Sequence, residues 1–231
     1  MRLVLIGGGF VNNSNNFQIN KRIVEIDGKT SPKVLFIPTA MNDDENYIIE
    51  FVETYESRLG CRVEVLRCIN HNPSDDEIKY RINSADLIYL GGGNYIKMIE
   101  QWMKYKIDTL LLEALKNETL IAGISAGAIC WFKSGLRTNY GGEGYLESSG
   151  WGRVKHIFCP HYNQPKRAEA FHSLIQNRSD NEIGIGLEDD CALYLTGEAC
   201  EVIGEPSKAW EFESIDGTLL KRNLTVALSK L

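Results

Sequence analysis

The sequence predicts an α/β protein, a doubly wound and mainly parallel sheet with helices on both faces and an antiparallel C-terminal extension. We read it as one domain over residues 1–231. Three observations predict this. Short apolar, β-branched runs alternate with amphipathic stretches up to residue 124. The runs are apolar at successive positions, as strands buried on both faces are. From Glu182 onward helical spacing gives way to short strands parted by polar turns, which suits antiparallel pairing.

The elements follow in order. Residues 3–6 read as a first strand that ends at Gly7-Gly8-Gly9, and the asparagine-rich stretch 12–16 reads as a surface loop near its end. Residues 33–38, 63–66, 87–90 and 120–124 are the next four strands. Between them, Tyr47, Ile48, Phe51, Val52, Tyr55 and Leu59 recur at helical spacing within 45–59. Pro73-Ser74-Asp75 opens a helix over 75–82, and 95–105 and 107–115 form another helical region. The Gly-, Ser- and Tyr-rich stretch 135–152 reads as a loop. Residues 154–158 read as a strand and 167–176 as a helix. Residues 182–187, 192–195, 199–203 and 209–214 read as strands, with turns at Gly197-Glu198 and Asp216-Gly217. The last strands should pack on the edge of the main sheet.

Bulk properties narrow the function. The chain is 43% hydrophobic and 24% charged, with a net charge of −6, which argues against general nucleic-acid binding. The six cysteines contain no Cys-x-x-Cys pair, and several lie inside apolar runs. They read as reduced, buried thiols, so neither a disulfide frame nor a metal site is expected. The N-terminal apolar run is too short for a signal-peptide core and no stretch reaches transmembrane length. The expectation is a cytoplasmic protein with no membrane partner and no cofactor.

One stretch carries chemistry. Gly123-Ile124-Ser125-Ala126-Gly127 follows an apolar strand run and precedes small helix-favouring residues. A turn from strand to helix this tight needs tiny residues two before and two after the serine, which is the pattern of a nucleophile elbow. The following helix would aim free N–H groups and the positive end of its dipole at the hydroxyl. A plain glycine-rich helix start is the competing reading.

A serine nucleophile needs a base, a group that orients the base, and oxyanion donors. Of His71, His156, His161 and His172, His161 stands just past a strand end, where open α/β sheets place their sites. Glu188-Asp189-Asp190 also follows a strand; one of these acids could orient the imidazole, although three acids also make an ordinary solvated turn. Gly91-Gly92-Gly93-Asn94 after the fourth strand allows close backbone approach. Gly92, Gly93 and Asn94, with the N–H of Ala126, are therefore the candidate oxyanion and substrate-binding residues. Gly7-Gly8-Gly9-Phe10 lacks nucleotide-loop spacing and reads as a wall of the site.

These segments resemble the dipeptidase E and cyanophycinase family of serine peptidases. The resemblance is carried by Gly7-Gly8-Gly9, Phe36-Ile37-Pro38-Thr39-Ala40, Tyr89-Leu90-Gly91-Gly92-Gly93-Asn94, Gly123-Ile124-Ser125-Ala126-Gly127-Ala128, Pro160-His161-Tyr162 and Gly186-Leu187-Glu188-Asp189. It implies a flavodoxin-like, class I glutamine-amidotransferase-like fold, with Ser125 as nucleophile, His161 as base, and Gly92 and Gly93 as oxyanion donors. Dipeptidase E carries its triad aspartate in a Thr-Asn-Asp segment, but this chain reads Thr138-Asn139-Tyr140. The cyanophycinase-like pattern instead places the acid at Asp189, with Glu188 as an alternative.

The resemblance implies a small-peptide substrate with an aspartyl residue at the scissile bond, either an aspartyl dipeptide or an aspartate–arginine isopeptide, and it leaves a homodimer open. Arg137, Arg153 and Arg167 are candidates to bind a substrate carboxylate. An esterase or amidase on the same triad, or a catalytically silent binding protein, are the alternatives. The second is motivated by Tyr140. Serine at the elbow disfavours a glutamine amidotransferase, because Cys130 lies one turn further on.

Overall fold

The computed structural model describes residues 1–178, 182–197 and 199–224. Its elements run β1 (Arg2–Ile6), α1 (Ser14–Asp27), β2 (Lys33–Ile37), α2 (Glu45–Val52), β3 (Arg62–Val65), α3 (Asp75–Ser84), β4 (Leu87–Leu90), α4 (Tyr95–Lys104), α5 (Ile107–Lys116), β5 (Leu120–Ile124) and α6 (Ala126–Ile129). They continue with β6 (Phe132–Thr138), β7 (Tyr145–Ser149), β8 (Val154–Cys159), α7 (Pro165–Gln176), β9 (Gly184–Leu187), β10 (Cys191–Thr196), β11 (Ala199–Gly204), β12 (Ala209–Ile215) and β13 (Thr218–Asn223). Helix α2 runs on into a π-helical stretch, Glu53–Arg58.

The five early strands form the parallel heart of a seven-stranded sheet ordered β11-β10-β1-β5-β4-β2-β3. Alternation along each strand feeds two cores. Leu3, Leu5, Leu35, Ile37, Ile88, Leu90 and Ile121 face one, with Trp102 of α4 and Leu111 of α5. Val4, Ile6, Val34, Phe36, Leu87, Tyr89, Leu120 and Ala122 face the other, with Ile23 of α1 and Phe51 of α2. There Phe36 stacks on Phe51 at 3.9 Å between ring centroids and Phe51 on Tyr55 at 4.3 Å. Each such aromatic pair adds about 0.5–1.5 kcal/mol beyond its buried area.

The antiparallel extension is present but divided. β10 pairs antiparallel with β1, and β11 with β10, on the edge of this sheet. The remaining strands form a second, six-stranded mixed sheet, ordered β13-β12-β9-β8-β6-β7. Its parallel pairs are β6 with β8 and β8 with β9. Strands expected to extend one sheet therefore build another.

The loop reading of 135–152 is corrected: β6 and β7 form a hairpin there. The glycine signal belongs to packing as well as to turning. A Cβ on Gly135 would sit 3.0 Å from Ile129 Cγ2 and 3.1 Å from the Phe158 carbonyl. Irregular backbone is confined to residues 150–152 after β7 and to the tip, where the Gly141 N–H donates to Asn139 Oδ1 at 3.2 Å and the Asn139 N–H to the Gly144 carbonyl at 2.9 Å.

The stretch 12–16 is a surface loop only as far as Asn13, because α1 begins at Ser14. Asn13 caps α1, its Oδ1 accepting the Asn16 N–H at 2.7 Å. Asn16 and Asn20 are buried and hydrogen-bonded to backbone carbonyls, so the helix hides its inner face behind polar residues that periodicity scores as outward. Strand β13 went unread because it is almost wholly exposed and polar. The predicted Asp216-Gly217 turn joins it to β12, with φ of 50° and 75°. Glu198 of the other predicted turn, and residues 225–231 of the predicted domain, lie outside the described residues. All six cysteines are buried free thiols. Among the described residues no helix is long and apolar enough to cross a membrane.

Candidate active site

The site forms where strand ends from both sheets converge. β5 ends at Ile124 and the chain reverses into α6 through Ser125, which has φ 51° and ψ −108°. That conformation is sparsely populated for a residue with a Cβ and costs about 1–3 kcal/mol. It is held by the Ser125 N–H, which donates to the Ile6 carbonyl at 3.0 Å, and by the Ser125 carbonyl, which accepts from Ala128 and Ile129. The flanking glycines are obligatory: a Cβ on Gly123 would run into the Gly127 carbonyl, and one on Gly127 into the Leu90 carbonyl.

His161 follows β8 and Pro160 with a φ of 52°, its N–H donating to the Gly7 carbonyl at 3.1 Å. Its Nε2 lies 2.9 Å from Ser125 Oγ and its Nδ1 lies 2.6 Å from Asp189 Oδ1. With the ring proton on Nδ1, the imidazole donates to the carboxylate and accepts from the serine hydroxyl.

Asp189 follows β9. Burial acts to raise its carboxyl, but the hydrogen bond and charge of His161, the amide of Asn163 and the charge of Arg167 outweigh it and hold the group below the ordinary range. Glu188 points elsewhere, accepting from Trp210 Nε1 at 3.0 Å. Successive side chains alternate in an extended segment, so only one of the two acids can reach the ring. Asp190 turns a third way and accepts from Asn13 Nδ2 at 2.9 Å.

The glycine run after β1 is more than a wall. A Cβ on Gly8 would overlap both Asp189 Oδ1 and His161 Nδ1, and one on Gly7 would overlap the Glu188 carbonyl. Gly8→Ala should therefore push the imidazole and carboxylate apart, costing at least tenfold in turnover with little effect on far-ultraviolet circular dichroism. A Gly8→Ala variant with wild-type turnover would show that this approach does not hold the pair.

Gly92 and Gly93 lie beside the serine: a Cβ on Gly92 would be 3.4 Å from Ser125 Cβ. Gly93 has a φ of 133°, and a side chain there would collide with the Ala40 carbonyl. Asn94 does not share the site. Its Oδ1 accepts the Lys97 N–H at 3.1 Å as the cap of α4, and its own N–H donates to Ala40 at 2.7 Å. The sequence runs three glycines straight into a helix cap, so the cap read as part of the loop. Sequence reasoning missed Tyr47, whose hydroxyl accepts the Gly92 N–H at 3.4 Å. Burial pushes that hydroxyl up to about 12, so it stays neutral. Its place on the apolar stripe of α2 had disguised it as core.

These groups open into a cleft of about 630 Å³ lined by Ser125, His161, Asp189, Gly92, Gly93 and Ala126. Phe10, Met41 and Tyr140 are exposed at its walls. Of the three candidate arginines, Arg137 and Arg167 line it and Arg153 does not. Arg167 is committed to fastening the β6–β7 hairpin, donating to the Leu136 carbonyl and Thr138 Oγ1, both at 2.9 Å, and lying 4.4 Å over the Tyr145 ring. The other histidines are placed elsewhere: His156 is buried in β8, His71 is exposed, and His172 Nε2 meets the Tyr162 hydroxyl at 2.8 Å. Cys130 is buried, its thiol pushed well up by burial.

Comparison with known proteins gives this geometry a lineage. The model of Peptidase family S51 matches residues 3–203. The chain belongs to peptidase family S51. This S51 chain is a serine-type peptidase, a hydrolase. It is 35% identical over 193 residues to the uncharacterized peptidase YgaJ of Bacillus subtilis strain 168, covering 83% of this chain and 81% of that protein. It is 33% identical over 105 residues to the uncharacterized peptidase Lmo0363 of Listeria monocytogenes, covering 45% of this chain and 49% of that one. Among solved structures it is similar to a peptidase from an acI-B1 Actinobacterium, with a TM-score of 0.68 at 21% identity and 96% of each chain covered. A putative peptidase E protein from Listeria monocytogenes EGD-e aligns with a TM-score of 0.66 at 21% identity, over 88% of this chain and 98% of that one. These two likenesses show that the fold of this S51 peptidase is shared.

Proposed function

We propose that this peptidase cleaves small peptides through an acyl-enzyme formed on Ser125, with His161 as base and Asp189 as its orienting acid. The observation that carries the reading is the unbroken run from Ser125 Oγ to His161 Nε2 at 2.9 Å and from His161 Nδ1 to Asp189 Oδ1 at 2.6 Å. Ser125 Oγ attacks the peptide carbonyl while its proton passes to His161 Nε2. The oxyanion develops beside the Gly93 and Ala126 N–H groups. His161 then returns its proton to the departing amine, and the C–N bond breaks. Water, deprotonated by the same nitrogen, releases the acid product and restores the serine. Asp189 stabilises the imidazolium throughout.

The cleft volume suits a short peptide. Among the described residues Arg137 uses Nε on Ser148 Oγ and Nη1 on the Thr138 carbonyl, which leaves Nη2 for a carboxylate in the cleft. That favours a substrate with an acidic residue at the scissile bond. A dipeptide library, with a chromogenic ester beside it, tests the reading: cleavage of aspartyl dipeptides supports it, and ester hydrolysis with no peptide cleaved would replace it by an esterase. His161→Ala should be nearly inactive, because the serine proton then has no acceptor. Activity surviving in His161→Ala would move the base to another group.

A further inference from the structure

We propose that Asn163 is a positioning residue that holds the Asp189 carboxylate in line with His161. The proposal rests on the Ser125–His161–Asp189 reading above. The Asn163 side-chain amide grips Asp189 twice. Its Nδ2 donates to Asp189 Oδ2 at 3.1 Å, and its Oδ1 accepts the Asp189 backbone N–H at 3.1 Å. A closed ring of this kind ties the carboxylate to its own backbone, which fixes both side-chain torsions of Asp189.

The need for such a restraint follows from exposure. The Asp189 side chain is 30% accessible, so water competes for its oxygens and other rotamers are open to it. Oδ1 is spoken for by His161, and Asn163 occupies Oδ2. A carboxylate satisfied at both oxygens keeps Oδ1 on the imidazole Nδ1.

The clamp and the base belong to one short segment. Asn163 stands two residues after His161. The segment is stapled to the end of β9 by the Tyr162 N–H, which donates to the Leu187 carbonyl at 3.0 Å, and it is closed by the Gln164 N–H on the His161 carbonyl at 2.9 Å. Pro165 then starts α7 and restricts the backbone behind it. The far side of the turn is held independently: the Asp190 N–H donates to the Gly8 carbonyl at 3.2 Å, and Asn13 Nδ2 donates to Asp190 Oδ1 at 2.9 Å. The backbone on either side of Asp189 thus stays anchored when Asn163 is removed, by the Glu188 N–H on the Lys208 carbonyl and the Asp190 N–H on the Gly8 carbonyl, and the freedom gained falls on Asp189 itself, its side chain and its own N–H. Asn163 is exposed, so its truncation opens no cavity in the core.

The test compares wild type, Asn163→Ala and Asn163→Asp. Asn163→Ala should lower kcat about tenfold, the scale of one hydrogen bond to a charged group, with KM within about twofold. The low-field proton resonance of the His161 Nδ1–H, assigned by its loss in His161→Ala, should broaden or move upfield. Asn163→Asp cannot donate to Oδ2 and sets a like charge against it, so it should be no better than alanine. Melting temperature should stay close to wild type in the alanine variant. Asn163→Ala with wild-type kcat, or with a loss confined to KM and an unmoved resonance, would overturn the proposal. Failure of the parent reading is separately visible: wild-type Ser125 would then not react with a fluorophosphonate, and both readings fall together. Normal labelling with an indifferent Asn163→Ala sinks the clamp alone.

Discussion

Replacing Ser125 by alanine should abolish peptide hydrolysis, by a factor on the order of 10⁴–10⁶, while the protein stays folded. The hydroxyl is the only group lost. Alanine has the same Cβ, so the strained backbone at φ 51° is neither relieved nor worsened, and Gly123 and Gly127 still fit around it. What remains is the cleft and its N–H groups, which bind and polarise but have no oxygen to acylate. Turnover should be measured with the best substrate from the dipeptide library, and thermal melting on the same sample. Near-full turnover in Ser125→Ala would mean that the elbow has no chemical role.

The second large effect separates two adjacent carboxylates. Asp189→Asn should reduce turnover by about 10⁴-fold, because an amide facing Nδ1 favours the wrong imidazole tautomer and supplies no charge for the imidazolium. Glu188→Gln should stay within a few-fold of wild type. Glu188 accepts from Trp210 Nε1 at 3.0 Å, and the amide oxygen of the substituted side chain can still accept that bond. Tyr140→Phe should leave the chemical step intact, since Tyr140 stands exposed at the cleft wall. Equal losses at positions 188 and 189 would show that the turn as a whole, rather than one oriented carboxylate, supports His161.

The fold was legible where burial is two-sided. Residues 87–90 and 120–124 are strands to the residue, because a run that is apolar on every side has few other places to go. Ser125 and His161 could be paired from the sequence because each stands just past a strand end, and the structure brings them within 2.9 Å of each other. Reading failed where polar residues do inside work. Asn16 and Asn20 face inward on α1, and Gly135 packs rather than turns, so periodicity and turn signals pointed the wrong way. The division into two sheets was also hidden, since strand order depends on which edges the crossovers reach, and no local pattern encodes that. Asp189 could be favoured over Glu188 only by resemblance. The structure sets Asp189, and not Glu188, 2.6 Å from the imidazole, and that proximity comes from the pairing of β8 with β9 and the approach of Gly8. Asn94 misled because a helix cap directly after a glycine turn looks like more turn.

The most direct measurement is covalent. Purified protein treated with a fluorophosphonate, digested and mapped by mass spectrometry should carry one adduct, on Ser125, and the His161→Ala variant should label far more slowly. An adduct on another residue, or none on the wild-type protein, would contradict the assignment of Ser125 as a nucleophile activated by His161.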